Sequence, residues 1–217
     1  MKILASRRFP GPAWEELRDV EYLAGLLPEG AGGRREDVEA LAVVGEPVED
    51  ETLDLFPNLR VVANYGAGYD SIDVRACAVR GIAVTNTPGV LTATTADLTF
   101  ALLLAVRRRV VVGDRAVREG RWRGGWADPD FLGHDLSGST LGIVGFGRIE
   151  AGLDVFAHEP TVPRELLTLP NVVLTPHVGS ATTETREAMT RVLVDNLLAA
   201  GRGERPPNLV YPATEAP

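Results

Sequence analysis

His177 stands in the string Leu174-Thr175-Pro176-His177-Val178-Gly179-Ser180, and Glu159 lies eighteen residues before it. An imidazole at the end of a strand faces the place where ligands bind in α/β sheets. A carboxylate bonded to one ring nitrogen orients the ring and favours its protonated form, which makes a proton donor usable near neutral pH. The same string also fits a structural histidine satisfied by its neighbours. His134 and His158 read as surface residues. Three scattered histidines without ligand spacing do not suggest a metal site.

Two glycine-bearing turns offer a different chemistry. Gly145-Phe146-Gly147 follows the apolar run Leu141–Val144. In a dinucleotide site the first glycine makes a tight turn, the second lets the backbone approach the pyrophosphate, and helix N-terminal amides hold the phosphates. Here the third glycine of the pattern is replaced by Glu150, whose charge would repel a phosphate, so a simple strand-to-helix turn stays open as a reading. Glu165 lies about where the ribose-binding acid would fall, but it ends no strand. The second turn is Asn64-Tyr65-Gly66-Ala67-Gly68-Tyr69-Asp70. Two close glycines leave backbone N–H groups free for a carboxylate or phosphate. A tight strand-to-helix turn without a ligand explains the same residues.

Such groups need a scaffold. Ile3–Ala5, Leu41–Val44, Val61–Ala63 and Ile82–Val84 read as short strands, and the stretches around 12–18, 50–56 and 73–80 read as helical. Strands alternating with helices imply parallel βα units. Residues 30–33 mark a surface loop. From about Thr92 to Glu119 no proline interrupts a helix that is apolar nearly all round, which predicts burial in a core or against another subunit. Arg107-Arg108-Arg109 reads as a solvated or dipole-favoured end of that helix. Val172–Leu174 reads as a further strand. Glu184–Ala200 reads as a helix with Ala188, Met189, Val192, Leu193, Leu197 and Ala200 on one face, stopped by Gly201.

Composition narrows the classes. The 217 residues are 45% hydrophobic and carry a net charge of −8, from 30 acidic against 22 basic residues. This balance speaks against a nucleic-acid footprint, which needs a basic stripe. A single cysteine, Cys77, excludes a disulfide framework and reads as a buried filler. The first residues lack a secretory apolar core, and Phe100–Val106 is far too short to span a bilayer. The expectation is a soluble, cytoplasmic protein with no membrane or nucleic-acid partner.

Taken in order, five strings make the chain resemble the D-isomer-specific 2-hydroxyacid dehydrogenases. They are residues 64–73, Asn86-Thr87-Pro88-Gly89-Val90-Leu91-Thr92, residues 141–149, Gly152-Leu153-Asp154-Val155-Phe156 with Glu159-Pro160, and Thr175–Ser180. The tyrosine-bearing loop and the Trp126–Leu132 stretch look most like the glyoxylate and hydroxypyruvate reductase branch. The resemblance implies an α/β, two-lobed fold with a flavodoxin-like substrate lobe (residues 1–95 with 185–217) and a Rossmann-type nucleotide-binding lobe (residues 96–184). It implies NAD or NADP as cofactor, a small 2-keto or 2-hydroxy acid as substrate, a cleft between the lobes, and a homodimer supported by the 92–119 helix. His177 would be the general acid towards the keto oxygen, with Glu159 as its partner. Ala67 and Gly68 would offer amides to the substrate carboxylate. Gly145, Gly147, Arg148, Ile149, Asp154, Gly179 and Ser180 would line the cofactor, with Asp154 near the nicotinamide carboxamide. Trp126 and Phe131 are candidates for shaping the substrate pocket.

The chain departs from the family at one junction, residues 149–151, where about 90–100 residues of the nucleotide lobe are missing. By resemblance the absent stretch would hold the ribose-binding acid and an arginine that clamps the substrate carboxylate. It would also hold the crossover of a dozen or more residues that two parallel strands require. The Rossmann-type lobe is therefore expected to be truncated. Three functions compete: reduction of glyoxylate or hydroxypyruvate, an inactive remnant serving as a dimerisation or small-acid-binding module, and a regulatory protein, the last disfavoured by the acidic balance. The junction itself has two explanations, a genuine deletion or a segment of the polypeptide omitted from the sequence. An intact mass of 23.3 kDa for the purified protein is the expected result for a deletion; a mass larger by the missing segment identifies an omission.

Overall fold

The computed structural model describes residues 1–124, 129–140, 154, 156, 159–169 and 172–211. Six strands form one sheet: β1 (Ile3–Ala5), β2 (Val20–Tyr22), β3 (Ala40–Val43), β4 (Val61–Asn64), β5 (Ala83–Thr85) and β6 (Leu209–Tyr211). Their order is β2-β1-β3-β4-β5-β6. The first five strands run parallel, and β6 is antiparallel to β5. The order 2-1-3-4-5 within the parallel part is that of flavodoxin-like sheets. The helices are α1 (Asp50–Leu53), α2 (Val74–Val79), α3 (Thr92–Arg107), α4 (Val110–Arg118), α5 (Arg164–Leu167) and α6 (Thr183–Gly201). No helix among the described residues is long and apolar enough to cross a membrane.

The chain forms two compact units, one of Met1–Leu91 with the described residues from Thr182 onward, the other of Thr92–Ala181. The sheet belongs to the first. Successive side chains of a strand point to opposite faces, and the residues divide accordingly. Ala5, Ala40, Ala42 and Ala63 sit on one face with Ile3 and Val61, and Leu4, Leu41, Val43 and Val62 on the other. The alanine-rich face leaves room for large partners. There α6 packs through Met189, Leu193 and Leu197, beside an aromatic cluster of Phe9, Trp14 and Tyr65. The bulkier face is covered by Leu53, Phe56, Ala76 and Cys77. Burial there pushes the Cys77 thiol up to about 12, which leaves it inert as a nucleophile.

The helix ends follow local chemistry. Asp73 caps α2 by accepting from the Ala76 amide at 2.8 Å, and the Thr182 hydroxyl accepts from the Thr185 amide at the start of α6. At its other end α6 runs through Gly201 rather than stopping there. Gly203, at φ 73°, makes the left-handed cap, with its amide on Ala200 O (3.0 Å) and that of Glu204 on Ala199 O (2.9 Å).

Other expectations are corrected by the second unit. The single helix over 92–119 is broken, because Arg109 adopts φ 52° between α3 and α4. The cause lies in a distant segment. The Arg107 carbonyl accepts the His134 amide at 2.8 Å, and its guanidinium donates to Asp135 O (2.6 Å) and Ser139 Oγ (2.9 Å). Gly133 permits this approach, since a Cβ there would lie 2.5 Å from Arg107 O. Arg107 thus ties a loop down instead of facing solvent. Nor is α3 buried within the chain: Phe100 is 62% and Leu104 48% exposed. Residues 172–174 are not a strand, because no described neighbour pairs with them. The apolar run 141–144 lies outside the described residues.

Leu193 is completely buried between α6 and the alanine face. Leu193→Ala is therefore expected to cost about 2–5 kcal/mol of stability, read as a lowered urea midpoint for the unit that holds the sheet.

Candidate active site

Asp154 is buried to 9% exposure. A buried carboxylate must be hydrogen-bonded, and Asp154 finds its partners in the 175–179 stretch. Its Oδ1 accepts from the Thr175 hydroxyl (2.7 Å) and the Val178 amide (2.8 Å), and its Oδ2 accepts from the Gly179 amide (2.6 Å). The Asp154 carbonyl accepts the His177 amide at 2.9 Å. Between these anchors the chain turns sharply, and His177 takes φ 52°, a left-handed conformation unusual outside glycine. The turn closes with the Ala181 amide on Val178 O, and Ser180 lies within it. Gly179 has little room: an added Cβ would sit 3.1 Å from Asp154 Oδ2 and 3.2 Å from Thr95 Cγ2.

This turn presents the imidazole. His177 Nδ1 lies 2.8 Å from Glu159 Oε2, with the His177 side chain 63% and Glu159 34% exposed. The other Glu159 oxygen accepts the Phe156 amide at 3.0 Å. Bonds from His177 and from that amide hold the Glu159 carboxyl below the usual carboxylate range. With Nδ1 committed to the acid, Nε2 is the nitrogen available to a ligand. The arrangement can orient an imidazolium and release one proton from Nε2.

In the other unit the 64–70 turn follows β4. Tyr65 is buried in the aromatic cluster and its hydroxyl donates to Arg186 O at 2.8 Å, so it anchors the turn to α6. Ala67 and Gly68 lie beyond it, partly exposed and exposed respectively. Asn64, the last residue of β4, donates from Nδ2 to Gly66 O and Gly68 O.

The structure thus brings His177 and Glu159 together, and gathers Asp154 and Gly179 around the turn that carries the histidine. Gly145, Gly147, Arg148 and Ile149, the expected pyrophosphate residues, lie outside the described residues, as do Trp126 and His158. Thr175 was missed as a partner of Asp154. Its only signal was its place one residue before the Pro-His pair. Asn64 was missed as well, although a polar residue closing an otherwise apolar strand is a legible sign, and so was Asn86, which follows β5.

Because the pairing depresses Glu159, its carboxylate persists as pH falls below the ordinary range, and the pair is lost only when pH falls through that lowered value. A carboxyl-carbon NMR titration is expected to show this low midpoint in the native chain. In His177→Ala the midpoint is expected to rise.

Three comparisons bear on these residues. The family model described as D-isomer specific 2-hydroxyacid dehydrogenase, catalytic domain, matches residues 3–211. The chain is 34% identical to a glyoxylate reductase of Pyrococcus furiosus over 310 residues, covering 95% of this chain and 90% of that protein. It is 36% identical to a glyoxylate reductase of Korarchaeum cryptofilum, covering 82% and 84%. The Pyrococcus alignment runs over 310 positions but takes in only 95% of the 217 residues here, so roughly a hundred of its positions are gaps in this chain. Among solved structures, the TT0316 protein of Thermus thermophilus superposes with a TM-score of 0.87 at 32% identity, over 97% of this chain and all of that one. An NADPH-dependent glyoxylate/hydroxypyruvate reductase of Sinorhizobium meliloti, solved with NADP and malonate, gives 0.77 at 26% identity over 98% and 97%. A family match that takes in the sheet, the 64–70 turn and the histidine-bearing turn places this chain among the D-isomer specific 2-hydroxyacid dehydrogenases, a family of NAD(P)-binding oxidoreductases.

Proposed function

We propose that the chain reduces a small 2-keto acid, glyoxylate or hydroxypyruvate, to the D-2-hydroxy acid with NADH or NADPH. The observation that carries this reading is the 2.8 Å His177–Glu159 contact, which leaves Nε2 as a proton donor. The relatives named as glyoxylate reductases support the substrate class.

The described residues fit the nicotinamide end of such a cofactor by their donor set. Asp154 Oδ2 accepts one bond among the described residues and keeps a lone pair for an N–H of a carboxamide. Gly179 and Ser180 would lie beside it, and Gly145, Gly147, Arg148 and Ile149 would take the pyrophosphate. Reduced nicotinamide, when bound, supplies a hydride. As the carbonyl carbon accepts that hydride, the carbonyl π pair moves to the keto oxygen. His177 Nε2–H then donates its proton to that oxygen, giving the hydroxyl. The neutral imidazole that remains still donates its Nδ1–H to Glu159, so the ring keeps its orientation through the cycle. The amides of Ala67 and Gly68 would hold the substrate carboxylate. In the same reading a second copy of the chain covers α3, whose Phe100 and Leu104 are otherwise exposed.

The excess of alignment positions over aligned residues supports a second reading. A chain without the family's arginine clamp loses about 10²–10³ in rate on that account alone, and a remnant that binds small acids without turnover fits the deficit. A glyoxylate-dependent NADH and NADPH oxidation assay separates the two. The expected outcome is measurable turnover that falls about 10²–10⁴-fold in His177→Ala. Absence of turnover in the native chain, with glyoxylate still bound, establishes the remnant.

A further inference from the structure

In a trans peptide unit the C=O and the N–H of the next residue point in opposite directions. In the turn after β4, three successive carbonyls are held by neighbouring groups. Asn64 Nδ2 donates to Gly66 O at 3.2 Å and to Gly68 O at 2.6 Å. The Thr87 amide donates to Gly66 O at 2.9 Å, and Asn86 Nδ2 donates to Ala67 O at 2.9 Å. The N–H groups of Ala67, Gly68 and Tyr69 belong to these same three peptide units. They are therefore directed away from Asn64, Thr87 and Asn86, and none of the three has an acceptor among the described residues.

The two asparagines are themselves fixed. Asn64 is 3% exposed and closes a strand whose other members are Val61, Val62 and Ala63, a position where packing alone would favour an apolar side chain. The Asn86 amide donates to Asn208 O at 3.3 Å, and the Asn86 carbonyl accepts from Asn196 Nδ2 at 3.4 Å. Asn196 is fully buried on α6 and also accepts the Asn208 amide at 3.0 Å. The sheet, α6 and the residues before β6 thus all brace the group that holds Ala67.

We propose that Asn64 and Asn86 are positioning residues for an anion cradle of three backbone amides, those of Ala67, Gly68 and Tyr69, which takes the carboxylate of the keto acid. The inference rests on the keto-acid reading above, and adds to it the third amide and the two side chains that aim the set. Free N–H groups on one turn suit a carboxylate, which only accepts. Replacing either asparagine by a residue without a donor frees a carbonyl to rotate, and each rotation turns an N–H away from the ligand.

The test uses the full chain, isotopically labelled and titrated with glyoxylate, as native protein, Asn86→Ala and Asn64→Ala. Asn86 is only half-buried, so its variant keeps the test available if Asn64→Ala does not fold. In the native chain the amide resonances of Ala67, Gly68 and Tyr69 are expected to shift on adding glyoxylate. In Asn86→Ala the Kd for glyoxylate is expected to rise about tenfold, with the Gly68 response lost. Where turnover is measured, KM is expected to rise with kcat within about twofold, the signature of lost ground-state binding rather than lost chemistry. An unchanged Kd in the folded variants overturns the proposal, as does a native chain whose three amides ignore glyoxylate. If the amides respond and the variants weaken them while no turnover is found, the cradle stands and the reductase reading falls. If turnover is found and the amides stay silent, the reductase reading stands and the cradle falls.

Discussion

A carboxylate removed from water requires donors. Asp154 obtains them from one short stretch of chain: the Thr175 hydroxyl and the amides of Val178 and Gly179. Those three bonds, together with the His177 amide on the Asp154 carbonyl, define the path of the backbone on both sides of the histidine. The left-handed φ of 52° at His177 costs free energy for a residue with a Cβ, and the surrounding bonds over-determine it. The direction of the imidazole is therefore a consequence of satisfying a buried acid. Glu159 then needs only to meet a ring that is already placed.

The sheet unit solves a parallel problem with neutral groups. A face made of Ala5, Ala40, Ala42 and Ala63 lets a helix and three aromatic rings lie close to the strands. Tyr65, at the end of β4, belongs to that core and points its hydroxyl at the first turns of α6. From there the chain must turn, and the carbonyls of the turn must find donors. Asn64 and Asn86 supply them. Both turns thus use the same logic, in which a polar side chain satisfies backbone groups of a turn and so fixes the path of the chain.

The family match and the missing stretch act on this chain in opposite senses. The His177–Glu159 pair and the 64–70 turn are present and locally braced. A stretch of the relatives has no counterpart here, as the excess of alignment positions over aligned residues records. Bracing of the histidine does not depend on that stretch, because every bond that holds the turn is made by residues present in this chain. The hydrogen bonds around the histidine are retained in a chain shorter than its relatives.

Much of the fold was legible because it is written in short-range patterns. The inner strands β1, β3, β4 and β5 are apolar runs bounded by turn residues, and α6 shows helical spacing over its whole length. The edge strands β2 and β6 escaped notice because three residues alone, Val20-Glu21-Tyr22 and Leu209-Val210-Tyr211, make neither a clear run nor an alternation. The pairing of His177 with Glu159 was legible through chemistry and family likeness. The partners of Asp154 were not, because they lie 21 to 25 residues away and two of the three are backbone amides, which carry no residue identity. The break at Arg109 was hidden for the same reason, since its cause is a carbonyl met by the amide of His134. The sequence alone determined which residues could do chemistry and which strands could carry them. The tertiary structure decided which backbone groups are consumed and which are left free, because hydrogen-bond satisfaction is settled only when distant segments meet.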